Sequence, residues 1–480
     1  MDSKSVEYCI LGAGPAGFGA VTELHKRGKN NILLIDRNRI VGGLARTETL
    51  GGARFDVGPH RFFTKNREVR ELWQQTLKSD FRPTRRLTRI YYKSRYFNYP
   101  LRLWDTLKNL GFVESLQVLA SFAVASWSKG PSPNTFEDWI CQKFGRKLYE
   151  TFFKSYTEKV WGIPCKEIEA EWAAQRIKGL DFTRVLKHAL SSVRLGSEPV
   201  RTLADQFDYP VLGAGQMYER MAEMLSESGG RLLLNTKVAS IRHQDGRIKE
   251  IVILRGDDTK QTIQAEHFFS SIPITIFFKL LDPPPDPGVL AAASALYYRE
   301  HITVDLLLEG ENYFREQWIY VHSPDIRMAR VSNYNNFSRA MAGGKNRTAL
   351  SVEYFTFQHE PLWKMTDEEL KDLAIEELEY SGWIQKERIL QSWVIRETES
   401  YPTYYLGFRE PYEILKRSLG QFQNLQPIGR GGLYKYNNQD HSTYSGMLAV
   451  RNILKLPGSP YVLWNINVDA EYQELGEKEL

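Results

Sequence analysis

Residues 8–17 read YCILGAGPAG, and the rest of the fold follows from this stretch. Apolar Tyr8–Leu11 is typical of a buried strand, and Gly12-x-Gly14-x-x-Gly17 opens a helical pattern. A second apolar strand, Ile32–Ile35, comes next and is followed directly by Asp36. Strand, glycine turn, helix and strand in this order predict a βαβ unit.

The three glycines have distinct physical roles in such a unit. The first allows the tight turn, the second lets the backbone approach a pyrophosphate, and the third permits close packing of helix on strand. The helix N-terminus adds unpaired N–H groups and the positive end of the helix dipole, which favour phosphate. Asp36 lies 19 residues after Gly17, where a carboxylate is able to accept hydrogen bonds from a ribose. This spacing predicts a dinucleotide-binding site.

Two more glycine-bearing loops follow the βαβ unit. They are VGGLART at 41–47, which contains Gly43, Leu44 and Arg46, and DVGPH at 56–60, which contains Gly58. Loops of this kind close to the first glycine turn suit a ligand that runs deep into the protein, as an extended FAD does. The predicted cofactor is therefore FAD.

A stretch near the end of the sequence, GRGGLYKYNNQDHS at 429–442, leads into a last predicted helix from about Ser442 to Leu454. Asp440 or Ser442 is suited to cap that helix and to leave amide donors pointing outward. Reduced flavin carries negative charge, so a helix N-terminus beside it would be stabilising. The alternative, a surface capping loop, stays open.

Composition excludes some classes of function without naming one. The chain has 480 residues, of which 42% are hydrophobic and 25% charged, and its formal net charge is +5. That charge is too weak to indicate nucleic-acid binding, and the basic and aromatic side chains of 82–96 fit the two faces of a β-hairpin. Three cysteines without a CxxC pair make a disulfide framework unexpected, and the histidine spacing predicts no metal site.

Targeting signals are not evident in the sequence. The N-terminus has no signal-peptide pattern, and the most apolar stretch, Leu116–Trp127, is shorter than the roughly 20 residues needed to cross a bilayer. We therefore expect a cytoplasmic protein without a transmembrane segment. A homo-oligomer is compatible with the sequence but is not indicated by it.

The pattern along the chain predicts an α/β fold with a Rossmann-like FAD-binding domain assembled from discontinuous segments, a helical lobe and a mixed β-sheet substrate domain. Helical periodicity dominates residues 101–190, and strands dominate 231–272 and the region after the proline-rich connector at Asp282. The predicted segments are 1–80, 201–282 and 396–480 for the FAD-binding domain, 81–200 for a hairpin and helical substrate lobe, and 283–395 for the β-sheet substrate domain.

Further motifs occur in order along the chain. They are TFEDWI at 135–140, KVWGIP at 159–164, the pair Trp172 and Arg176, Arg327 with SNY at 332–334, and YPT at 401–403. Together with the glycine turn, the GGLA loop and the stretch 429–442, they closely resemble eukaryotic-type UDP-galactopyranose mutases. The resemblance covers nearly the whole chain, and more distant relatives in this FAD-binding superfamily include protoporphyrinogen oxidase and the amine oxidases.

The resemblance implies an unusual use of FAD. In this family the reduced flavin is the active form, with NAD(P)H a candidate external reductant, and its N5 attacks the anomeric carbon of a nucleotide-diphosphate sugar. The sugar changes ring size between pyranose and furanose with no net redox change, in the manner of an isomerase of polysaccharide biosynthesis. A nucleotide sugar is thus the implied partner, with no nucleic acid involved.

The resemblance also assigns residues. The family arginines that hold the diphosphate match Arg176 and Arg327, and a histidine beside the flavin that responds to its redox state matches His60. The implied cofactor contacts are Gly12, Gly14, Gly17, Asp36, Gly43, Leu44, Arg46, Gly58, Val238, Arg430, Gln439, Asp440 and Ser442. The implied substrate contacts are Tyr99, Arg102, Thr157, Trp161, Tyr334, Tyr401, Tyr436 and Asn438.

Three positions depart from the family pattern. Pro59 stands where a second glycine is usual, and proline fixes φ and removes an N–H, so motion of the flavin loop is expected to be restricted. Tyr99-Pro-Leu-Arg102 lacks the aromatic and glutamine that usually follow the proline, and Thr157 replaces an asparagine. These differences put uracil recognition in doubt, and Arg102 is suited to another phosphate or another base.

Three functions are compatible with these residues. The first is a nucleotide-sugar mutase, the second is an FAD-dependent oxidoreductase acting on an apolar substrate with the helix 116–127 at a lipid-side entrance, and the third is a flavin-carrying protein without activity. Arg176 and Arg327 favour the first, because a diphosphate clamp has no purpose for a neutral apolar substrate.

Overall fold

The computed structural model describes residues 4–99, 101, 103–127, 131–170, 206–311 and 313–466. Within these ranges the strands are β1 (Lys4–Leu11), β2 (Ile32–Ile35), β3 (Thr47–Leu50), β4 (Ala53–Asp56), β5 (Phe81–Arg85), β6 (Thr88–Tyr92), β7 (Arg95–Asn98), β8 (Gln206–Pro210), β9 (Arg231–Leu233), β10 (Thr236–Gln244), β11 (Arg247–Arg255), β12 (Lys260–Ser270), β13 (Leu281–Asp282), β14 (Tyr298–Glu309), β15 (Trp318–Val321), β16 (Arg330–Asn333), β17 (Arg347–Thr356), β18 (Ile389–Pro402) and β19 (Leu425–Pro427). The α-helices are α1 (Pro15–Lys26), α2 (Arg67–Leu77), α3 (Leu103–Leu110), α4 (Phe112–Trp127), α5 (Phe136–Phe144), α6 (Arg146–Leu148), α7 (Ser155–Trp161), α8 (Gly215–Glu227), α9 (Ile274–Lys279), α10 (Pro287–Ala295), α11 (Pro361–Lys364), α12 (Asp367–Tyr380), α13 (Arg409–Leu419), α14 (Gly429–Leu433) and α15 (Gln439–Ile453).

The first sheet joins segments that lie far apart in the chain. Its strand order is β13-β10-β11-β12-β1-β2-β9, and β19 pairs with β12. β1 runs parallel to β2 and to β12, with α1 as the crossover between β1 and β2. All four residues of β2 are buried, as expected for a strand covered on both faces. The Rossmann-like α/β fold predicted from the glycine turn is confirmed.

Two helices of this layer, α1 and α15, pack with their backbones in contact. A Cβ on Gly19 would lie 2.1 Å from the carbonyl oxygen of Thr443, and a Cβ on Gly446 would lie 2.0 Å from that of Ala16. Only glycine leaves room for this approach. This packing places the start of α15 beside the start of α1.

The start of α15 corrects the predicted cap. The Ser442 N–H donates to the Asn438 carbonyl over 3.0 Å, so the first helical turn closes three residues earlier than expected. The N-cap is therefore Asn438, a residue type that favours this position, and the prediction that Asp440 or Ser442 caps the helix was wrong. The Asn438 N–H in turn donates to Nδ1 of His441 over 3.3 Å.

The second sheet contains β14 to β18, together with the predicted hairpin β6–β7. Its order is β18-β14-β17-β16-β15-β6-β7. Lys93 and Ser94 join β6 to β7 with positive φ angles of 48° and 60°, the backbone of a tight two-residue turn. The hairpin pairs with β15 and so ties the region near residue 90 to the sheet of the 300s.

A helical lobe formed by α3–α7 covers one side of the cavity described below. Its packed interior is aromatic and aliphatic, with Phe136, Ile140 and Phe152 all buried. Lys159 on α7 anchors the lobe to the second sheet, because its Nζ donates to the carbonyls of Val321, Ser323 and Met328 at 2.8, 3.1 and 3.1 Å. Burial lowers the pKa of the Lys159 amine to about 8.

Some predictions lie beyond these observations. Trp172, Arg176 and Arg102 fall outside the described residues. Among the described residues, no helix is both long enough and apolar enough to cross a membrane. The residue bounds proposed for the domains stay a prediction.

Candidate active-site cavity

A cavity of about 780 Å³ lies between the first sheet, the second sheet and the helical lobe. Two parts of its lining differ in character. We call glycine wall the part formed by Gly12, Gly14, Asp36, Gly43, Asn438, Gln439 and Ser442. We call aromatic wall the part formed by Tyr99, Phe152, Tyr156, Trp161, His301, Tyr320, His322, Arg330, Tyr401 and Tyr436.

The glycine wall brings backbone close to the cavity. Gly12 has a φ of 112°, and a Cβ there would lie 1.9 Å from the Ser271 hydroxyl oxygen. A Cβ on Gly17 would lie 2.0 Å from the Gly12 carbonyl oxygen, so Gly17 does not line the cavity but lets α1 approach β1. The Gly42 N–H donates to the Ala13 carbonyl over 2.8 Å, which holds the GGLA loop against the glycine turn.

Asp36 directly follows the last residue of β2, at the edge of the glycine wall. Its carboxylate accepts the N–H groups of Ala13 and Asn38, each over 2.7 Å. Burial raises the pKa of this carboxyl above its usual value. The two backbone donors fix the carboxylate at the cavity surface, in the position expected for a group that meets a ribose.

The start of α15 supplies a further test of whether a dinucleotide fits. The Oε1 atom of Gln439 accepts the Tyr218 hydroxyl over 2.6 Å, whereas its Nε2 is buried and has no hydrogen-bond partner within the described ranges. Buried amide donors are nearly always satisfied in native proteins. A ligand acceptor in the cavity would satisfy this one, so the residues present fit a bound dinucleotide such as FAD.

His60 lies in the loop between the two walls and lines the cavity. Burial, together with the positive charges of Arg430 and Arg330, lowers the pKa of His60 to about 3. Its Nδ1 atom is buried without a hydrogen-bond partner in the described part of the chain. The imidazole is therefore neutral at physiological pH and keeps one ring nitrogen for a ligand.

Arg430 organises the tyrosines of the aromatic wall. Its guanidinium donates to the carbonyls of Ser400 and Asn437 over 2.9 Å and lies 5.0 and 4.7 Å from the ring centres of Tyr401 and Tyr436. The two tyrosine rings stack with centroids 5.5 Å apart. The predicted cofactor contact Arg430 thus also fixes two predicted substrate contacts.

A buried ion-pair cluster stands next to this stack. Arg330 makes a two-pronged ion pair with Glu353, and Glu353 also lies 2.9 Å from Nε2 of His301. Although burial alone would raise it, the pair with Arg330 and the hydrogen bond with His301 lower the pKa of Glu353 to about 2. Gly58 packs on the cluster, since a Cβ there would lie 3.3 Å from the Glu353 carboxylate. A fixed cation therefore lines the cavity at Arg330.

A second aromatic group surrounds His322. The His322 ring stacks on the Tyr156 ring, with their centroids 4.3 Å apart. The centroid of the Tyr320 ring lies 5.6 Å from that of Tyr156 and 5.0 Å from that of Tyr99. Burial and the nearby Lys159 ammonium lower the pKa of His322 to about 3. These rings make a flat-sided part of the cavity that suits a planar ligand.

The lining includes most of the predicted site residues. They are His60, Gly12, Gly14, Asp36, Gly43, Leu44, Gly58, Val238, Arg430, Gln439, Ser442, Tyr99, Thr157, Trp161, Tyr401, Tyr436 and Asn438. The described lining does not include Gly17, Arg46, Asp440, Arg327 or Tyr334. Arg102 and Arg176 lie outside the described residues.

Two residues predicted to contact the substrate, Arg327 and Tyr334, lie outside the described cavity lining. The Arg327 side chain is exposed, and its backbone N–H donates to Glu377, because residues 324–329 form an irregular segment before β16 begins at Arg330. The Tyr334 ring is fully buried and its hydroxyl donates to the Asp56 carbonyl over 2.6 Å. Arg327 therefore does not face the cavity, and Tyr334 supports the wall from behind.

Two predicted cofactor contacts, Arg46 and Asp440, are buried beneath the glycine wall. Arg46 is buried, pairs with Glu48 at 2.9 Å and with Glu397, and donates to the Gly43 carbonyl over 3.1 Å. Asp440 is buried beside His441, with Oδ1 3.4 Å from Nδ1. Arg46 thus holds the GGLA loop through the Gly43 carbonyl, and neither Arg46 nor Asp440 is part of the described cavity lining.

Sequence reasoning missed Arg330, Glu353, His301, Tyr156, Tyr320 and His322. One signal was available: Glu353 is a charged residue inside the apolar strand pattern of 349–355. A buried carboxylate needs a cation, and β16 places Arg330 directly opposite Glu353. Within the described residues, no group of three or more His, Cys, Asp or Glu side chains could hold a metal ion.

The chain is similar to known proteins in parts of its sequence. Residues 10–76 match the model of the NAD(P)-binding Rossmann-like domain family. The chain is 30% identical over 179 residues to a probable UDP-galactopyranose mutase of Klebsiella pneumoniae, which is 35% of this chain and 44% of that protein. It is 28% identical over 170 residues to the dTDP-fucopyranose mutase of Escherichia coli, which is 34% of this chain and 43% of that protein. The chain thus spans less than half the length of these two relatives.

Solved structures are similar over almost the whole chain. A reduced UDP-galactopyranose mutase superposes with a TM-score of 0.81 at 21% identity, covering 97% of this chain and 98% of that one. A putative protoporphyrinogen oxidase from Exiguobacterium sp. 255-15 superposes with a TM-score of 0.70 at 17% identity, covering 94% and 99%. At these identities the likeness shows the fold. The resemblance to UDP-galactopyranose mutases indicated by the motifs is confirmed.

Proposed function

We propose that the protein is an FAD-dependent nucleotide-sugar mutase that interconverts pyranose and furanose forms of a sugar attached to a nucleoside diphosphate. The observation that carries this proposal is the fixed guanidinium of Arg330 in the same cavity as the glycine wall. The pair with Glu353 uses Nε and Nη2 of Arg330 and holds the side chain in place, so Nη1 is the donor that we propose for an anionic group of the substrate. The names of the two relatives, both sugar mutases, support the same substrate class.

The glycine wall is the proposed cofactor site. Gly12 and Gly14 admit the pyrophosphate, Asp36 accepts from a ribose, and Gln439 offers its free Nε2 donor. The starts of α1 and α15 line the cavity and add backbone donors and positive dipole ends. Bound and reduced, FAD supplies a nucleophilic nitrogen able to displace the nucleoside diphosphate from the anomeric carbon of the sugar.

The aromatic wall is the proposed substrate site. Arg330 stabilises the diphosphate both in the substrate and when it departs as a leaving group. Tyr401 and Tyr436, which Arg430 holds in place, offer their hydroxyls to the substrate beside the diphosphate. The Trp161 ring packs on both, with centroids 6.2 Å from that of Tyr401 and 6.0 Å from that of Tyr436. Neutral His60 gives a hydrogen-bonding nitrogen without adding a further positive charge. The stacked rings around His322 take the planar base.

Activity with nucleotide sugars tests the proposal. The purified protein is loaded with FAD, reduced with dithionite, and incubated with UDP-galactopyranose or dTDP-fucopyranose, and the furanose form is detected by NMR. Isomerisation with the reduced protein and none with the oxidised protein is the expected result. Failure to isomerise any of a panel of nucleotide sugars, with FAD bound and reduced, would contradict the proposal.

Affinity for UDP tests the substrate site without turnover. Arg330→Lys keeps the charge but loses the two-pronged pair, so we expect UDP to bind about tenfold more weakly by titration calorimetry. Arg327→Lys is the matched control, because its side chain is exposed, and should leave the affinity unchanged. Equal affinities for both variants would remove Arg330 from the substrate site.

A second candidate function rests on the apolar side chains in the lining, among them Ile90, Leu101, Phe152 and Phe153. An oxidoreductase of protoporphyrinogen-oxidase type would use them to hold an apolar substrate, and such a protein shares the fold. Oxygen-dependent oxidation of a porphyrinogen by the FAD-loaded protein, with no isomerisation of nucleotide sugars, would favour this function over the first.

We also propose an external reductant, an oligomeric state and a cytoplasmic location for the protein. NAD(P)H is the candidate reductant, and bleaching of the flavin absorbance by NADPH or NADH under anaerobic conditions would support it. A homo-oligomer would be detected by size-exclusion chromatography with light scattering.

A further inference from the structure

A buried arginine, Arg299, reaches from the second sheet to the end of helix α7. Arg299 lies on β14 and is 4% exposed. Its Nε donates over 3.3 Å to the carbonyl of Val160, which lies in the last turn of α7. A Cβ on Gly162 would lie 2.3 Å from the guanidinium carbon, so the backbone that follows α7 lies directly against the arginine. Arg299 therefore contacts the chain on both sides of Trp161.

Other contacts hold the Arg299 side chain in one place. Nη1 pairs with Glu360 at 2.8 Å, Nη2 donates to the Phe355 carbonyl over 2.9 Å, and the guanidinium lies 4.2 Å from the ring centre of Phe357. Glu360 is itself fixed, because it accepts the Phe357 N–H over 2.9 Å. A planar set of donors meets such partners in one orientation, so the guanidinium is a rigid support for the end of α7.

Lys159 holds the same turn from another direction. Its Nζ donates to three carbonyls of the segment 321–328, so the residue before Val160 is also tied to the second sheet. Trp161 thus follows two residues that are both bonded to that sheet. Cations removed from water contribute little net stability, because the cost of desolvation offsets their ion pairs. Two of them at one turn are better explained by the position that they impose on it.

Trp161 connects this turn to the cavity. It is buried, it lines the cavity, and its ring packs on those of Tyr401 and Tyr436. Arg299 and Tyr401 are also directly paired residues of β14 and β18, so the arginine and one tyrosine of the aromatic wall belong to the same part of the second sheet. A displaced turn at the end of α7 would therefore separate Trp161 from the two tyrosines.

We propose that Arg299 is a positioning residue of the substrate site and acts through Trp161. It fixes the end of α7 and thereby holds the indole ring against the two tyrosines of the aromatic wall. Arg299 itself is not part of the described cavity lining, so its effect on a substrate is indirect. The proposal rests on the proposed function in one respect, which is that the aromatic wall is the substrate site.

The position of Trp161 is tested without any substrate. The eleven tryptophans of the chain are labelled with fluorotryptophan, and the variant Trp161→Phe identifies the Trp161 signal in the fluorine NMR spectrum. Gly162→Ala pushes Arg299 away from the turn, so we expect the Trp161 signal to shift or broaden. The matched control is Gly382→Ala, because Gly382 has a similar φ of 72° but nothing within 4 Å of its Cβ in the described part of the chain. This control should leave the Trp161 signal unchanged.

A cycle of single and double variants tests whether the effect reaches the substrate site. We expect Arg299→Met to weaken UDP binding to the FAD-loaded protein about five- to tenfold by titration calorimetry. In a protein that already carries Trp161→Ala, the same change should have less than about a twofold further effect, because the residue that it positions is gone. Arg396→Met is the control and should leave the affinity unchanged. Arg396 also joins β18 to a carboxylate, that of Asp367, and to a backbone carbonyl, but it is not in the described cavity lining.

The two measurements separate this proposal from the proposed function. An unmoved Trp161 signal in both Gly162→Ala and Arg299→Met would overturn the proposal, as would a full further loss of UDP affinity when Arg299→Met is added to Trp161→Ala. If Arg299→Met does not fold, Gly162→Ala takes its place in the cycle. If the unsubstituted protein binds no UDP, the proposed function fails, whereas the Trp161 signal still decides whether Arg299 positions that ring.

Discussion

The two walls of the cavity are built in different ways. In the glycine wall the backbone itself meets the ligand space, and Gly12, Gly14 and Gly43 are small so that nothing intervenes. In the aromatic wall, large side chains from the helical lobe, the second sheet and the stretch 429–442 converge, and a buried pair of Arg330 and Glu353 stands among them. The glycine wall has no room for a side chain at Gly12, and the aromatic wall depends on the pairing of Arg330 with Glu353.

The largest effect is expected where a lost partner leaves a buried charge. Arg330→Leu removes the arginine cation from the buried Glu353 carboxylate and leaves it only the contact with His301, so the free energy of unfolding should fall by about 3–5 kcal/mol. Arg327→Leu, three residues earlier and exposed, should change it by at most about 0.5 kcal/mol. Chemical denaturation of the three proteins measures both values, and similar losses for the two variants would break the distinction.

An added atom directly behind the glycine wall, at Gly17, should have the next largest effect. Gly17→Val puts side-chain atoms where a Cβ alone would lie 2.0 Å from the Gly12 carbonyl, so we expect about 1–3 kcal/mol of destabilisation and loss of bound FAD. Gly288→Ala on α10 is the control, since within the described chain nothing lies within 4 Å of its Cβ, and it should be neutral or slightly stabilising. The measurements are thermal unfolding and flavin absorbance, and full FAD content in the valine variant would contradict the prediction.

Acid should weaken the aromatic wall through His322. Burial lowers the pKa of His322 to about 3, while in the unfolded chain it titrates at about 6.5, so the unfolded state gains a proton first as the pH falls. Between pH 7 and pH 5 this group alone should cost about 2 kcal/mol of unfolding free energy. In His322→Gln that loss should be smaller by the same amount, whereas Tyr156→Phe, which keeps the stacked ring, should behave like the unsubstituted protein. An unchanged pH dependence in His322→Gln would count against burial of a neutral ring.

The smallest expected change in stability comes from removing a helix cap, and it shows whether UDP binding depends on that cap. Thr135 and Asp138 form a capping box at the start of α5, so Thr135→Ala should cost about 1 kcal/mol of stability. Thr366→Ala removes the same kind of cap from α12, which is away from the cavity lining. Because Phe136 of α5 lines the cavity, only Thr135→Ala should also weaken UDP binding. Equal UDP affinity in the two variants would show that the aromatic wall does not depend on this cap.

The contrast between the walls also explains which parts could be predicted from sequence. The glycine turn, β2 and Asp36 are adjacent in the chain, and their geometry depends on local backbone conformation, so the spacing alone was sufficient. The hairpin β6–β7 was predictable for the same reason, because its turn is local.

The aromatic wall depends on relations that spacing does not contain. Arg327 and Arg330 precede the same SNY motif, and only the start of β16 decides which one faces the cavity. His301 and Glu353 meet because β14 pairs with β17, and His322 meets Tyr156 across two separate elements. Such contacts follow from the packing of distant segments, which a single sequence does not specify.

The backbone contact between α1 and α15 has a consequence for biosynthesis. Gly19 is made early in translation, and Thr443, which it touches, is made more than four hundred residues later. Until the ribosome has released that late segment, α1 has an uncovered groove where α15 will pack, and the glycine wall lacks Asn438, Gln439 and Ser442. The glycine wall is therefore complete only after residue 442 has left the ribosome.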